Sequence, residues 1–326
     1  APITIAVSSG SQTQLQTGNS VIRGTSPVTK TGTGTVIFDA ANSTTGTTTI
    51  QAGILRVSHA GGLATSPTVV QGGRLLVDAG LTLRTPSLTL AGGTLSAPAL
   101  AVNGTSGIGT LTMAGGQIAG TPPITISGGG RMVLSSAAAQ TVSLSALTVN
   151  QSTGGRLDLG RGGVAVAVGG ITAADLLADL SAGFAGGSWS GTSGIVSSAA
   201  AEAQAIALAR TIGWADGGDG TLTVAFAAPG DTNLDGLVDL LDAANILSAG
   251  LYDASAPAIW SQGDFNYDAT VDILDAADLL GSGLFDQGFY NDAGAAAVAA
   301  VPEPSGMVWL GLLVGLGAAM RVRPRR

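Results

Sequence analysis

The sequence predicts a mainly β chain: a β-solenoid over residues 1–170, a small α+β connector over 171–228, an acidic loop-helix module over 229–287, a linker over 288–300 and an apolar helix over 301–326. Three observations carry this. Gly accounts for 51 of 326 residues while charged residues are only 10%, against a usual charged share of roughly 25%. An acidic segment is duplicated in the second half. The chain ends in an apolar run followed by arginines.

Hydrophobic residues make up 45% but aromatics only 4%, so burial must come from thin layers of Val, Leu, Ile and Ala. The solenoid region reads as short alternating runs: Thr35–Phe38, Gly53–Val57, Arg74–Val77, Leu81–Leu83, Leu88–Leu90, Thr110–Met113 and Arg131–Leu134. Gly-Gly pairs at 72–73, 92–93, 115–116 and 129–130 punctuate them. Their irregular period of roughly 20 residues suits one coil of a solenoid. The coil buries inward Val and Leu against its neighbours, turns Thr and Ser outward, and uses Gly at corners of positive φ. A sandwich of short strands is the alternative that the pattern leaves open.

The stretch Gly34–Val57, with its Asn-Ser-Thr-Thr-Gly turn, Thr-rich strand and Ala-Gly step, resembles the autotransporter-associated β-strand repeat. That resemblance implies a right-handed parallel β-helix on an exported protein. Chain composition narrows the chemistry further. There is no Cys, and the one His, His59 beside Gly61-Gly62, reads as a turn residue, which excludes thiol nucleophiles, disulfides and multi-His metal sites. Hydrolysis of a glycoside needs two facing carboxylates, yet the solenoid region holds only Asp39, Asp78 and Asp158 and no Glu. No catalytic residues are therefore assigned. The chain begins at Ala1, which places any signal peptide upstream or already removed.

In the connector, Thr172-Ala-Ala-Asp175 is a capping-box-like helix start, with Leu176, Leu177 and Leu180 as the apolar face. A second, Ala-rich helix is expected over 198–210. Trp189 and Trp214 read as core or cap residues in Gly-rich loops, and Leu222–Phe226 as a strand that closes the solenoid end.

Residues 230–252 and 263–285 are two copies of one pattern. Oxygen side chains fall at loop positions 1, 3, 5, 9 and 12: Asp231, Asn233, Asp235, Asp239 and Asp242, then Asp264, Asn266, Asp268, Asp272 and Asp275. The carbonyls of Leu237 and Thr270 stand at position 7. This is EF-hand spacing, and it predicts two Ca²⁺ sites. Gly236 fills the turn position of the first loop and Ala269 that of the second, so the second is expected to be the weaker. Ten of the 21 acidic residues lie between Asp231 and Asp278, and no Lys or Arg lies between Arg210 and Arg321. Such a surface repels nucleic acid. Each loop leads into one helix with an apolar stripe at 240, 244, 247 and 251, or 273, 277, 280 and 284, and Leu240-Leu241 and Ile273-Leu274 are expected to be buried between the helices. One helix per loop, duplicated over about 228–287, resembles dockerin type I repeats. That implies a Ca²⁺-stabilised module and a cohesin-like protein partner.

Finally, Pro302-Glu303-Pro304, an apolar run from Gly306 to Met320, and Arg321, Arg323, Arg325 and Arg326 resemble the PEP-CTERM sorting signal. The resemblance implies an exosortase-type sorting protease as partner and a transient membrane anchor, with the arginines held on the cytoplasmic side. The whole reads as a non-enzymatic, exported protein of the cell surface or extracellular matrix. A polysaccharide lyase or hydrolase, and a scaffold subunit docked to a cohesin-like partner, are the rival readings; extracellular polysaccharide and a cohesin-like protein are the alternative partners of the chain.

Overall fold

The computed structural model describes residues 1–8, 12–14, 21–137 and 139–291. The sorting signal at 301–326 lies outside the described residues.

Strands of the first half pair in parallel with partners one coil away, which excludes the antiparallel sandwich. On one face the register runs from Val28 through Thr48, Thr68, Leu88, Leu111 and Met132 to Leu157. A second face stacks Val36, Leu55, Leu75, Leu95 and Ile118. The later coils add a third, Leu100, Ile124 and Leu147. The result is a parallel β-solenoid of about seven turns. Because side chains alternate along a strand, every second residue falls into a continuous apolar column, and Leu55, Leu75, Leu88, Leu90, Leu95 and Leu111 are buried.

The second glycine of each pair is needed for space rather than for φ. A Cβ on Gly73 would stand 2.6 Å from Ile50 Cγ2 and 2.7 Å from the Gly53 carbonyl oxygen, and one on Gly116 2.6 Å from the Gly93 oxygen. Adjacent coils therefore touch backbone to backbone at this corner. Buried polar side chains interrupt the columns, among them Lys30, Thr48, Ser66 and Thr68. Lys30 occupies the position above Ile50 and is buried, its ammonium donating to the carbonyls of Thr31, Gly32 and Ala52 at 2.7, 2.7 and 3.0 Å. Thr48 and Ser66 share a hydroxyl contact of 2.7 Å.

Leu81–Leu83 is irregular; strand pairing resumes only at Thr85–Leu90. The solenoid ends differently from its coils. The connection from Leu157 to its partner Ile195 is longer than any earlier coil on this face. It includes helix α1 (Ala173–Phe184), started by Thr172, whose hydroxyl accepts the Asp175 N–H at 3.1 Å. Leu176 and Leu180 are buried, but Leu177, expected beside them, is 38% exposed. The strand Gly163–Val166 then pairs antiparallel with Leu222–Ala227, which pairs antiparallel with Thr211–Asp216. Helix α2 (Ser198–Ala205) stops short of the expected Arg210, because the chain turns at Ala207 (φ 59°) to enter strand Thr211–Asp216. Trp214 lies in that strand and not in a loop; both it and Trp189 are buried.

Candidate functional site

The two acidic loops fold alike, residue for residue. Asp231 Oδ1 accepts the Asp235 N–H at 3.2 Å and Oδ2 the Gly236 N–H at 3.0 Å; Asp264 accepts Asp268 and Ala269 at 3.1 and 3.0 Å. At position 5, Asp235 and Asp268 take the N–H of Leu237 and Thr270, both at 2.9 Å, and the side-chain amides of Asn233 and Asn266. At position 9, Asp239 and Asp272 begin helices α3 (Leu240–Ala249) and α4 (Ile273–Gly281), accepting from Leu241 and Leu274 at 2.7 Å. At position 12, Asp242 and Asp275 return the cap by accepting the N–H of Asp239 and Asp272 at 2.9 Å. Left-handed backbone recurs at positions 4 and 6: Leu234 and Gly236 at φ 61° and 88°, Tyr267 and Ala269 at 65° and 68°. The second loop thus places an alanine where L-residues are strained by about 1 kcal/mol.

Gly236 has a second reason to be glycine. The ring of Phe289 rests where its Cβ would stand, whereas Ala269 in the second loop is exposed.

Asp231, Asp242, Asp264 and Asp275 are buried. Among the described residues the Lys and Arg ion pairs are Arg56 with Asp78 at 2.8 Å and Arg156 with Asp158 at 3.6 Å, both in the solenoid. The buried loop carboxylates therefore meet N–H and hydroxyl donors rather than cations. Burial pushes the carboxyls of Asp231 and Asp264 up to about 6, opposed by the Tyr290 hydroxyl and Gly236 N–H at the first and by the Ala269 N–H at the second. The donor set is all oxygen and mostly anionic, which fits a hard cation such as Ca²⁺ in kind. It is not gathered into a closed cage: among the described residues, no three His, Asp or Glu side chains form a metal-sized group. The carboxylates at positions 1, 5 and 12 are turned onto backbone N–H groups.

The loops are fastened to the solenoid cap. The Tyr267 hydroxyl donates to the Ile212 carbonyl at 2.6 Å, while Trp260 Nε1 ties the second repeat to the first by donating to the Asp231 carbonyl at 2.8 Å. Phe184, Trp189, Tyr267, Trp260 and Phe265 form a chain of edge and tilted ring contacts of 4.9–5.9 Å.

The expected burial of the helix stripes fails. Leu240, Leu247, Ile273 and Leu280 are 67–79% exposed, and Leu241 and Leu274 are exposed too. Asp242 and Asp275 are the buried residues of their helices, and the helical repeat then turns the stripe at 240 and 247 toward water. Ile246 and Leu279 pack inward instead.

Sequence reasoning missed two residues. Tyr290, in the stretch read as linker, is buried and donates to Asp231 Oδ2 at 2.6 Å; an aromatic pair, Phe289-Tyr290, in an otherwise small-residue segment was the available signal. Asp179 on α1 is buried, accepts Gln151 Nε2 at 2.6 Å, and is pushed up to about 6 by burial. It lines a cleft of about 390 Å³ with Asp175 and Gln151. His59 is the turn residue expected, its Nδ1 accepting the Gly61 N–H at 2.9 Å.

Residues 28–57 match the passenger-associated transport repeat. No curated protein and no solved structure matches significantly. The matched segment is the part of the solenoid that holds Lys30, Ile50 and Gly53, where coils approach closely. A passenger-type repeat on a parallel β-solenoid points to an exported surface protein. No helix among the described residues is long and apolar enough to cross a membrane.

Proposed function

We propose that this chain is a non-enzymatic structural protein of the cell surface or extracellular matrix, stabilised by two Ca²⁺ sites and sorted through its C-terminus. The filled solenoid interior supports the first part: among the described residues, columns of Val, Leu and Ile occupy the space a substrate channel would need, and two of its three aspartates, Asp78 and Asp158, are tied in ion pairs. The buried carboxylates without cationic partners support the second. Asp231, Asn233, Asp235, Asp242 and the Leu237 carbonyl would hold one ion, and Asp264, Asn266, Asp268, Asp275 and the Thr270 carbonyl the other, with Asp239 and Asp272 reaching them through the position 9 side. Bound calcium would supply the positive charge that the loops lack. Pro302-Glu303-Pro304 and the four terminal arginines support processing by an exosortase-type membrane protease. Calorimetric titration of the full chain is expected to give two Ca²⁺ equivalents, and mass spectrometry of the native surface protein a C-terminus near Pro304. No uptake of Ca²⁺ would falsify the metal reading, and an intact Arg326 on the surface product the sorting reading.

One observation favours an alternative, polysaccharide cleavage: the paired Asp175 and Asp179 in the cleft beside Gln151. Product release from a glycan panel that vanishes in Asp179→Asn would establish it. A cohesin-like partner has separate support in the exposed Leu240-Leu241 and Ile273-Leu274 pairs, read out by pull-down from the surface fraction.

A further inference from the structure

We infer that residues 286–291 form a latch set by occupancy of the first acidic loop, with Tyr290 the positioning residue for Asp231; this rests on the calcium reading above. The segment returns along the loop after α4. Asp286 N–H donates to the Val238 carbonyl at 2.8 Å and Tyr290 N–H to the Gly236 carbonyl at 3.0 Å. Phe289 covers Gly236. The Tyr290 hydroxyl donates to Asp231 Oδ2 and accepts the Ala228 N–H at 3.0 Å. Its ring lies under the Arg210 guanidinium at 5.1 Å, and Asn291 reaches the Arg161 carbonyl at 3.1 Å. The latch thus joins three parts of the chain: the loop, the hairpin entry at Arg210 and the last solenoid coil.

The geometry gives the phenol a defined task. Asp231 Oδ2 already accepts the Gly236 N–H, so the Tyr290 hydroxyl completes that oxygen and fixes the carboxylate rotamer, leaving Oδ1, which takes the longer Asp235 N–H at 3.2 Å, as the oxygen with capacity for a cation. Carbonyls at positions 6 and 8 of the same loop hold the latch backbone. A loop sprung open by repulsion among Asp231, Asp235 and Asp242 withdraws those acceptors. Coupling is reciprocal: whatever factor latch docking adds to metal affinity, metal adds to docking. The second loop has the backbone half of the same arrangement, with Asp253 N–H donating to the Val271 carbonyl at 2.8 Å and Ala258 N–H to the Ala269 carbonyl at 2.9 Å; among the described residues it lacks the hydroxyl, and Asp264 is held by the N–H groups of Asp268 and Ala269. The two sites are therefore inequivalent through the Tyr290 hydroxyl as well as through Ala269.

The test is hydrogen exchange and calcium calorimetry on the full chain. Ca²⁺ should slow exchange at the Asp286 and Tyr290 amides about tenfold. Tyr290→Phe, which keeps the ring beneath Arg210, should weaken one of two sites by a similar factor, leave the other unchanged and abolish most of the protection. Asp275→Asn should remove the second site and leave latch protection intact, whereas Asp242→Asn should remove both the first site and the protection. An unchanged solenoid signal in circular dichroism shows that each variant folds. Absence of any Ca²⁺ binding overturns the calcium reading and the latch together. Two-site binding with latch exchange indifferent to Ca²⁺, or with Tyr290→Phe matching wild type, overturns the latch alone.

Discussion

The solenoid and the paired loops are both repeats, yet they solve burial in opposite ways. A coil of the solenoid places Leu or Val above Leu or Val, so each copy supplies the apolar surface that the next one covers. A loop buries aspartates instead, and its neighbours supply N–H and hydroxyl donors without a compensating charge. Stacked apolar side chains contribute about 25 cal/mol per Å² covered whether or not calcium is present. On the calcium reading proposed above, buried carboxylates would make the second repeat conditional on what else is in solution.

The sharpest way to break the comparison is to withdraw calcium. EGTA should unfold α3 and α4 while the β signal of the coils persists, because at 100 times Kd each site contributes about 2.7 kcal/mol; equal melting of both regions with and without Ca²⁺ would refute the contrast. A core truncation tests the other side. Leu111→Ala, in a fully buried column position, should cost about 3 kcal/mol, measured by denaturant unfolding, with no change in Ca²⁺ affinity. Asp179→Asn sharpens the role of buried charge in the cap. The folded carboxyl is raised to about 6, so the fold prefers the neutral form and loses stability as pH climbs from near 4 to 6. The variant should gain about 2 kcal/mol at pH 7.5 and nothing below pH 4; a gain that does not depend on pH would point to packing instead. Smallest of all, Leu240→Ser should shift the thermal midpoint scarcely at all, within about 0.5 kcal/mol, since the side chain is 76% exposed.

Alternation made the solenoid legible, because large apolar residues at every second position, Leu75 and Val77 or Met132 and Leu134, leave one way to bury them. The acidic loops were legible from spacing alone. Other features depend on partners distant in sequence. Strand Thr211–Asp216 carries Gly213 and reads as loop, but the Trp260 ring packs against that glycine. The outward stripe of α3 was misjudged because periodicity finds a face without saying which way it points; the burial of Asp242 decides that. Tyr290 was missed because its partner Asp231 lies 59 residues earlier.

The even register from Val28 through Thr48 and Thr68 to Leu88 makes the coil a module of fixed length. Excising residues 58–77 would bring Val57 to Asp78 and set the strand at Thr48–Ile50 beside Leu88–Leu90, with Leu55 beside Leu95, in the pairing each already uses. The closing hairpin and acidic loops would meet an unchanged final coil. In such an architecture the distance between the first strand and the acidic loops is adjustable in whole steps, at about 5 Å per coil, so the protein reads as a ruler whose length can drift by duplication or loss while its closing end stays the same.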